Sequence, residues 1–594
     1  MTAAELPDLE RARARYAAER RKRLDVNRGA ILDRHQFQAY FDDPFTQFQE
    51  REPAHDHVDA LVIGAGLGGL IAGARLREIG LRHIRIVDTA GDVGGVWYWN
   101  RYPGAQCDVE SYIYLPFLED TGYVPKLKYS YGPEIRSYAQ QLATHFDLYK
   151  LALFQTAVTG LTWDENAGRW EVTTDRGDAF TARYVVLMQG AFSIPKLAAI
   201  PGIETFRGKM FHSARWDYGY TGEDLANLAD KTVGLIGTGA TGVQIVAPVS
   251  EAAKRLYVFQ RTPSTVAERN NSETDVEWFT SQPAGWLRQR AENFTMITNG
   301  ESVAEDLVHD GWTVFYKAIL GSDFADVGPE EQALKREEFD LAHMEHIRAR
   351  VDSIVTDPET AAALKPYYRY QCKRPAFHDQ FLPAFNRPNV TLVDTNGRGI
   401  DRITERGVVV HGEEYQLDCL VVATGFDQDA DFTDRIGFDI AGVGGQLLSE
   451  KWKDGPLTLH AVMTSGFPNF FMRVTRDYHG TSGVNLVHTL EEANVHFAAV
   501  IAELEQRGMI GDPVPEAELE YVQSIMGGRH VLVGSGDFLQ SCTPGYYNYE
   551  GQTQRKSPLY ANYPGTAMSF FRMLRQWREG GQLSGLRLTP RPRT

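Results

Sequence analysis

Two glycine-rich loops of the same spacing constrain the fold of this chain more than any other feature. The first follows the apolar run 58–63, and the second follows the apolar run 232–236. A helix-forming stretch and then another apolar run follow each loop, so both copies predict a strand–loop–helix–strand unit. In such a unit the glycines let the backbone approach a pyrophosphate at the helix N-terminus. The loop residues are Gly64, Gly66, Leu67 and Gly69 in the first copy and Gly237, Thr238, Gly239, Ala240, Thr241 and Gly242 in the second.

The charge at the end of the second strand differs between the two copies. Asp88 and Arg261 stand at the same offset from the first glycine of their loops. An acid at this position accepts hydrogen bonds from a ribose diol, whereas an arginine pairs with a 2′-phosphate. We therefore assign FAD, whose ribose is free, to the first loop and NADP to the second.

The order of the predicted strands indicates an α/β fold in which one dinucleotide-binding domain is inserted into another. Two apolar strands that end in glycine, at 184–190 and 420–426, lie on either side of the second loop. We expect two Rossmann-like domains, an NADP domain inserted in a discontinuous FAD domain, with a helical insertion at about 275–360. The expected boundaries are a helical extension at 1–55, the FAD domain at 56–200 and 395–594 with a C-terminal cap, and the NADP domain at 201–394.

Composition excludes several classes of protein. The chain has 594 residues and a formal net charge of −17, which argues against nucleic-acid binding, since that rests on cationic neutralisation of phosphates. No run approaches the length of a membrane-spanning helix, so no integral membrane segment is expected. The four cysteines form no Cys-x-x-Cys pair, which argues against a redox dithiol or zinc site and fits a reduced cytoplasm. We expect a cytoplasmic monomer or weak homo-oligomer without a metal.

The N-terminal stretch is rich in alanine, arginine and glutamate and has no apolar core of a secretory signal. Its spacing predicts a solvated helix. We interpret it as an extension packed on the surface, without a chemical role.

Three motifs identify a family resemblance. The run from Gly94 to Ala105 reads Gly-Gly-Val-Trp-Tyr-Trp-Asn-Arg-Tyr-Pro-Gly-Ala, and the run from Phe206 to Asp217 has the pattern Phe-x-Gly-x-x-x-His-x-x-x-Trp-Asp. With the pair Lys373-Arg374, these motifs resemble the Baeyer–Villiger monooxygenases. The resemblance covers roughly residues 55 to 580.

The resemblance implies a reaction and a set of site residues. NADPH would reduce FAD, O2 would form a C4a-peroxide on the flavin, and this peroxide would attack a ketone to give a lactone. Arg374 would stabilise the negative charge, with Asp108 as its counterion. His212 and Trp216 are interpreted as structural. The other cofactor residues implied are Gly95, Val96, Trp97, Asp108 and Tyr114 for FAD, and Gln106, Cys107, Thr262 and Lys373 for NADP.

The substrate is less constrained. The extension and the block from Cys542 to Gly551 resemble the branch of the family that acts on large cyclic ketones, including the bacterial enzymes that form lactones of sesquiterpenoid antibiotics. Arg473 and Arg476 either pair with neighbouring acids on a loop or bind the carboxylate of a terpenoid keto acid.

Three other functions remain open on the sequence. One is a flavin monooxygenase that makes N- or S-oxides, which would not need Arg374. Another is a monooxygenase of macrocyclic or steroid ketones. The third is an NADPH-binding sensor or a plain NADPH oxidase.

Overall fold

The computed structural model describes residues 8–24, 31–32, 37, 40–321, 327–428, 430–473, 478–481, 483–526, 536–552 and 557–592. The strands in these ranges are β1 His55–Ile63, β2 Ile84–Val87, β3 Ala152–Leu153, β4 Val158–Asp164, β5 Arg169–Thr174, β6 Ala179–Leu187, β7 Lys209–His212, β8 Thr232–Ile236, β9 Arg255–Gln260, β10 Val266–Ala267, β11 Ala376–Phe377, β12 Val390–Asp394, β13 Arg402–Ile403, β14 Gly407–Val410, β15 Glu413–Gln416, β16 Cys419–Val422, β17 Ile440–Ala441, β18 Phe470–Met472, β19 Met509–Pro513 and β20 Leu586–Pro590.

The helices begin with α1, in the N-terminal extension, and end with α20, near the C-terminus. They are α1 Leu9–Leu24, α2 Leu67–Glu78, α3 Val96–Trp99, α4 Ser111–Tyr114, α5 Leu118–Thr121, α6 Gly132–His145, α7 Tyr218–Thr221, α8 Ala240–Ala252, α9 Val276–Thr280, α10 Trp286–Thr298, α11 Gly311–Leu320, α12 Pro329–Ile354, α13 Pro358–Leu364, α14 Phe381–Ala384, α15 Phe432–Ile436, α16 Leu448–Lys451, α17 Leu486–Arg507, α18 Pro515–Met526, α19 Gly536–Ser541 and α20 Ala567–Glu579. Across the described ranges, none of them combines the length and apolar character that crossing a bilayer requires.

The first sheet is built around the strand that precedes the first glycine loop. Its order is β17-β4-β5-β6-β1-β2-β3, and β18 also pairs with β6. β1 pairs in parallel with both β2 and β6, and α2 and α17 pack against it within one apolar cluster. β18 is parallel to the end of β6, so the chain leaves β18 at the carboxyl edge of the sheet, where ligands of such folds bind.

The second sheet carries the second glycine loop. Its five strands are all parallel, in the order β12-β9-β8-β16-β7. Each sheet thus has a loop and a following helix at the carboxyl end of a central strand, which confirms the predicted α/β fold with two dinucleotide-binding units. β16 lies between β8 and β7, so the second unit continues past the boundary expected at residue 394. Five helices, α9 to α13, occupy the stretch expected to be a helical insertion.

Two of the four cysteines form a disulfide, which corrects the expectation that all are reduced. Cys372 and Cys542 are bonded across 170 residues, whereas Cys107 and Cys419 are free and buried. Because the two partners lie far apart in sequence and follow no spacing motif, only the folded chain brings them together. The bond fixes the start of the block from Cys542 to Gly551 beside Lys373.

Candidate active site

The two glycine loops have the same geometry. Gly64 and Gly237 take left-handed φ values of 106° and 108°. A Cβ added at Gly69 would overlap the carbonyl oxygen of Gly64, and one added at Gly242 would overlap that of Gly237. Only glycine lets each helix begin this close to its strand, so the last glycine of both loops is a packing requirement.

Both loops leave a helix N-terminus open to a phosphate. α2 begins after Gly66 and α8 begins after Gly239, and neither cap residue makes a side-chain hydrogen bond. The first N–H groups of a helix have no partner within the helix and therefore bind anions. Apart from its chain neighbours, no heavy atom in the described ranges lies within 4 Å of a Cβ built on Gly239. Both loops therefore fit the pyrophosphate of a dinucleotide.

Asp88 joins the end of β2 to the first loop. Its carboxylate accepts hydrogen bonds from the N–H groups of Ala65, at 2.5 Å, and Ala90, at 2.8 Å. Burial raises the pKa of Asp88, and the backbone N–H groups oppose that shift. The acid therefore orders the loop in addition to standing where a ribose is expected.

The groups expected around a 2′-phosphate meet at one segment near the C-terminus. Lys373 Nζ donates to the carbonyl of Pro544 at 2.8 Å, and Arg261 donates to the carboxylate of Glu550 at 3.2 Å. The carbonyl of Thr262 accepts a hydrogen bond of 3.0 Å from the threonine of the second loop. The structure thus brings Arg261, Thr262 and Lys373 together beside the second loop.

Arg374 and Asp108 form a bidentate ion pair. Arg374 Nε donates to Asp108 Oδ2 at 3.0 Å, and Nη2 donates to Oδ1 at 2.7 Å. The side chains are 30% and 20% exposed, so the pair is mostly shielded from solvent but still accessible. Two parallel charge-assisted bonds fix the plane of the guanidinium and leave its other donors for a ligand.

The surroundings keep both partners of the pair charged. Burial alone would raise the pKa of Asp108, but the charges of Arg374 and Arg269 outweigh burial and lower it. Burial alone would lower the pKa of Arg374, but the Asp108 carboxylate and nearby tyrosines raise it well above its usual value. Arg374 is therefore a permanent cation that does not release a proton.

Trp312, in the helical insertion, supports both partners and carries no sequence motif that could have identified it. Its indole N–H donates to the backbone carbonyl of Asp108 at 2.8 Å. The Arg374 guanidinium carbon lies 5.2 Å from the centre of the Trp312 ring, which is within the range of a cation–π contact.

The residues expected to line the flavin run from the first loop towards Asp108. A Cβ built on Gly95 would lie 2.7 Å from Gly66 Cα, and Val96 beside it is exposed. Trp97 Nε1 donates to the hydroxyl of Tyr114 at 2.9 Å. Burial raises the pKa of Tyr114, and the charge of Asp108 adds to that shift. Tyr114, the last of the residues expected to line the flavin, therefore lies close to the Arg374–Asp108 ion pair.

Gln106 and Cys107 connect this row to the second unit. Gln244, in α8, donates to the carbonyl of Gln106 at 2.8 Å and accepts from the hydroxyl of Tyr102 at 2.8 Å. Cys107 is buried, and burial raises the pKa of its thiol to about 12, so it stays protonated and is no nucleophile. The ion pair therefore lies at the junction of the two dinucleotide-binding units.

His212 has a structural environment, in agreement with its interpretation from the sequence. Its Nδ1 accepts from the N–H of Ala214 at 3.1 Å, and its Nε2 lies 3.0 Å from the carbonyl of Gly425, which assigns the neutral tautomer. Burial lowers its pKa to about 3. Trp216 is also buried and donates to Thr221.

Arg473 is buried and has no charged partner among the described residues, whereas Arg476 lies outside them. Arg473 follows β18 and is 6% exposed. Its guanidinium donates to the carbonyl of Thr481 at 3.2 Å and to Thr489 Oγ1 at 3.3 Å. Within the described ranges no carboxylate forms an ion pair with it, and burial lowers its pKa to about 10. It also lines a small cavity together with Leu187, Gln189, Phe432, Arg435, Ile436 and Met472.

Three further charged residues lie beside the expected NADP site, and the sequence analysis assigned none of them to it. Arg23, in α1, is buried and donates to Thr262 Oγ1 at 2.9 Å, so the N-terminal helix is not only a solvated extension. Lys196 lies 3.6 Å from Glu550, which also contacts Arg261. Arg23 and Lys196 lie far from the second loop in sequence and belong to no motif, whereas Glu550 lies in the block from Cys542 to Gly551, to which only a substrate preference was assigned.

Two sheets with one dinucleotide loop each, and an arginine–aspartate pair at their junction, define a two-dinucleotide oxidoreductase. Residues 58–278 match the model of the flavin-binding monooxygenase-like family. The chain is 50% identical to pentalenolactone D synthase of Streptomyces arenae, over 98% of this chain and 100% of that protein. It is 47% identical to a Baeyer–Villiger monooxygenase of Streptomyces coelicolor, over 96% of this chain and 95% of that protein.

A comparison with solved structures also finds a ketone monooxygenase. The polycyclic ketone monooxygenase of Thermothelomyces thermophila superposes with a TM-score of 0.89 at 38% identity, covering 98% of this chain and 99% of that one. The chain belongs to the Baeyer–Villiger monooxygenases, within the flavin-binding monooxygenase family. It is therefore an enzyme that uses a flavin, and the resemblance drawn from the sequence motifs is confirmed.

Proposed function

We propose that this enzyme uses FAD, NADPH and O2 to convert a polycyclic sesquiterpenoid keto acid into a lactone. The observation that carries the proposal is the Arg374–Asp108 pair at the junction of the two loops. The relative named pentalenolactone D synthase supports a lactone product of this kind.

The chain's own residues would act mainly by orientation and electrostatics. FAD, when bound, would supply the two-electron chemistry and the activation of dioxygen. Arg374 would stabilise negative charge on oxygen as it transfers to the ketone carbon, without protonating it, because its pKa is held high. Asp108 and Trp312 would hold the guanidinium in one orientation.

The preference for NADPH over NADH would come from the second unit. Arg261 and Lys373 are cations near the second loop, and Thr262 adds a hydroxyl that accepts from Arg23. A guanidinium matches the geometry of a phosphate, and an ammonium adds a point charge. No such cation follows β2, where Asp88 favours a free ribose.

Arg473 would bind the carboxylate of the substrate. A buried guanidinium without an anion is costly, and a ligand carboxylate would remove that cost. Arg473 leaves β18 beside the end of β6, at the edge of the first sheet where ligands bind. The carbonyl and hydroxyl that it contacts orient the side chain but do not neutralise it.

The proposed function is tested by aerobic turnover with NADPH and a panel of sesquiterpenoid, macrocyclic and steroid ketones. We expect one oxygen atom to be added to a sesquiterpenoid keto acid, read by the mass of a lactone, with one NADPH consumed per product. Hydrogen peroxide alone with every ketone would instead identify an NADPH oxidase. Turnover confined to macrocycles or steroids would reject the sesquiterpenoid assignment.

A separate prediction concerns the carboxylate. We expect Arg473→Gln to lower kcat/KM for a keto acid by about 10- to 100-fold, as the loss of a charged hydrogen bond does. The methyl ester of the same substrate should be nearly unaffected. Arg435→Gln, which changes another arginine of the same cavity, is the matched control. Equal losses on acid and ester in Arg473→Gln would exclude a contact with the carboxylate.

A further inference from the structure

A segment near the C-terminus covers the cations expected to bind the 2′-phosphate. It runs from Cys542 to Gly551, and we name it the cover segment. Its Pro544 carbonyl accepts from Lys373 at 2.8 Å, and Glu550 reaches Arg261 at 3.2 Å and Lys196 at 3.6 Å. One residue of this segment therefore places a carboxylate on Arg261, the arginine after β9 that is expected to bind the 2′-phosphate.

The Glu550 carboxylate is ionised in this position. Its side chain is 12% exposed. Burial alone would raise the pKa of Glu550, but the charges of Arg261, Lys196 and Lys373 outweigh burial and lower it. Glu550 thus already supplies an anion to the cations that a 2′-phosphate requires.

Glu550 and a 2′-phosphate compete for the same guanidinium. The phosphate carries a charge of about −1.5 to −2 and prefers the paired donors of an arginine. Two anions on one guanidinium would repel each other at short range. For the phosphate to take Arg261 with full contact, the Glu550 carboxylate has to leave it.

The cover segment is anchored at its start, and Glu550 lies near its other end. Its start is fixed by the Cys372–Cys542 disulfide and by Arg20 of α1, which donates to the Cys542 carbonyl at 3.2 Å. Asn548 organises the turn that follows, since its side-chain oxygen accepts from the N–H groups at 545 and 551 and its amide donates to the Cys542 carbonyl at 3.2 Å.

The backbone next to this turn is strained. Tyr549 and Glu550 have φ values of 51° and 53°, in the left-handed region that side chains disfavour. The ion pair with Arg261 lies at the strained position, so breaking it removes one contact that maintains this conformation.

We propose that Glu550 is a specificity-determining residue of the NADP site: its carboxylate occupies the place of the 2′-phosphate, and the cofactor binds by displacing it. The inference rests on the proposed assignment of NADP to the second loop. Glu550 lowers the apparent affinity for the 2′-phosphate, because only the fraction of molecules with a vacant Arg261 is competent to bind. A ligand without that phosphate does not need the exchange.

The test is a calorimetric titration of the flavin-loaded enzyme, first with adenosine 2′,5′-bisphosphate and then, in a separate experiment, with 5′-AMP. We expect Glu550→Gln to bind the bisphosphate about tenfold more tightly than the wild type and to bind 5′-AMP equally well. Glu251→Gln is the matched control, because Glu251 pairs with Arg387 at the other end of α8. It should leave both affinities unchanged.

The outcomes separate this inference from the function on which it rests. If the wild type prefers the bisphosphate to 5′-AMP and Glu550→Gln gains nothing, or loses affinity, the competition is overturned while the NADP assignment holds. If the wild type does not prefer the bisphosphate, the NADP assignment fails and the role of Glu550 fails with it. The binding readout does not depend on turnover of any ketone.

Discussion

Replacing Arg374 with alanine is expected to lower kcat for ketone oxidation by about 10²- to 10³-fold, the range found when a preorganised charge-stabilising donor is removed. Two bonds to Asp108 and the Trp312 ring hold the guanidinium in one orientation, which an alanine cannot reproduce. The change also leaves Asp108 without its partner, and burial then raises the pKa of that carboxyl.

Two measurements separate this effect from a general loss of activity. Reduction of the flavin by NADPH, followed by its absorbance under anaerobic conditions, should remain, because the second loop and Arg261 are untouched. Product mass under aerobic conditions should show little lactone. Arg374→Lys keeps the positive charge but loses the paired donors of the guanidinium, and we expect its kcat for ketone oxidation to lie between those of the wild type and Arg374→Ala. Arg387→Ala, a surface arginine paired with Glu251, is the matched control.

The same variant distinguishes two chemistries that the sequence left open. An enzyme that forms N- or S-oxides would not need the cation. If Arg374→Ala retained sulfoxidation and oxidised the ketone at the wild-type rate, the proposed role of Arg374 would be wrong.

A pair of glycine variants is expected to separate the two cofactors. A Cβ added to Gly66 has room, since the nearest atom is Gly95 Cα at 3.4 Å. A Cβ added to Gly239 has no heavy atom of the described ranges within 4 Å, apart from its chain neighbours. Both variants should therefore fold, yet each methyl group projects where a pyrophosphate would approach the backbone. Crowding of this kind weakens binding by about tenfold or more.

We expect Gly66→Ala to be purified with little flavin, read from its visible absorbance. Gly239→Ala should remain yellow but show a KM for NADPH raised at least about tenfold. Gly328→Ala, at the open N-terminus of α12, is the control and should change neither property. A Gly239→Ala protein that loses flavin and keeps its KM for NADPH would reverse the assignment of the loops.

Much of the fold was predictable because its signals are local. A strand, a glycine loop and a helix occupy about 20 residues, and the clash at the last glycine is made by the first one of the same loop. The charge after each second strand is likewise set by a single residue, Asp88 or Arg261. The boundary expected at 394 leaves out β16, because this strand joins the second sheet from a distant part of the chain.

The motifs also predicted the family, and the Lys373-Arg374 pair with Asp108 was proposed from that resemblance alone. Their contact could not be derived from spacing, since 266 residues separate the two partners. Trp312 carries no motif, and its indole reaches Asp108 only because α11 packs against the first unit. Arg23 and Lys196 were missed for the same reason.

The sequence by itself determined that two dinucleotide loops exist, which charge follows each one, and which family the chain belongs to, since each of these follows from residues close together in the chain. Tertiary structure alone decided that Arg473 is a buried cation without a carboxylate partner in the described ranges, that Cys372 bonds to Cys542, and that Glu550 lies on Arg261, 289 residues away. Burial, ion pairing and disulfide bonding depend on which distant segments pack together, and the spacing of residues along the chain does not specify that packing.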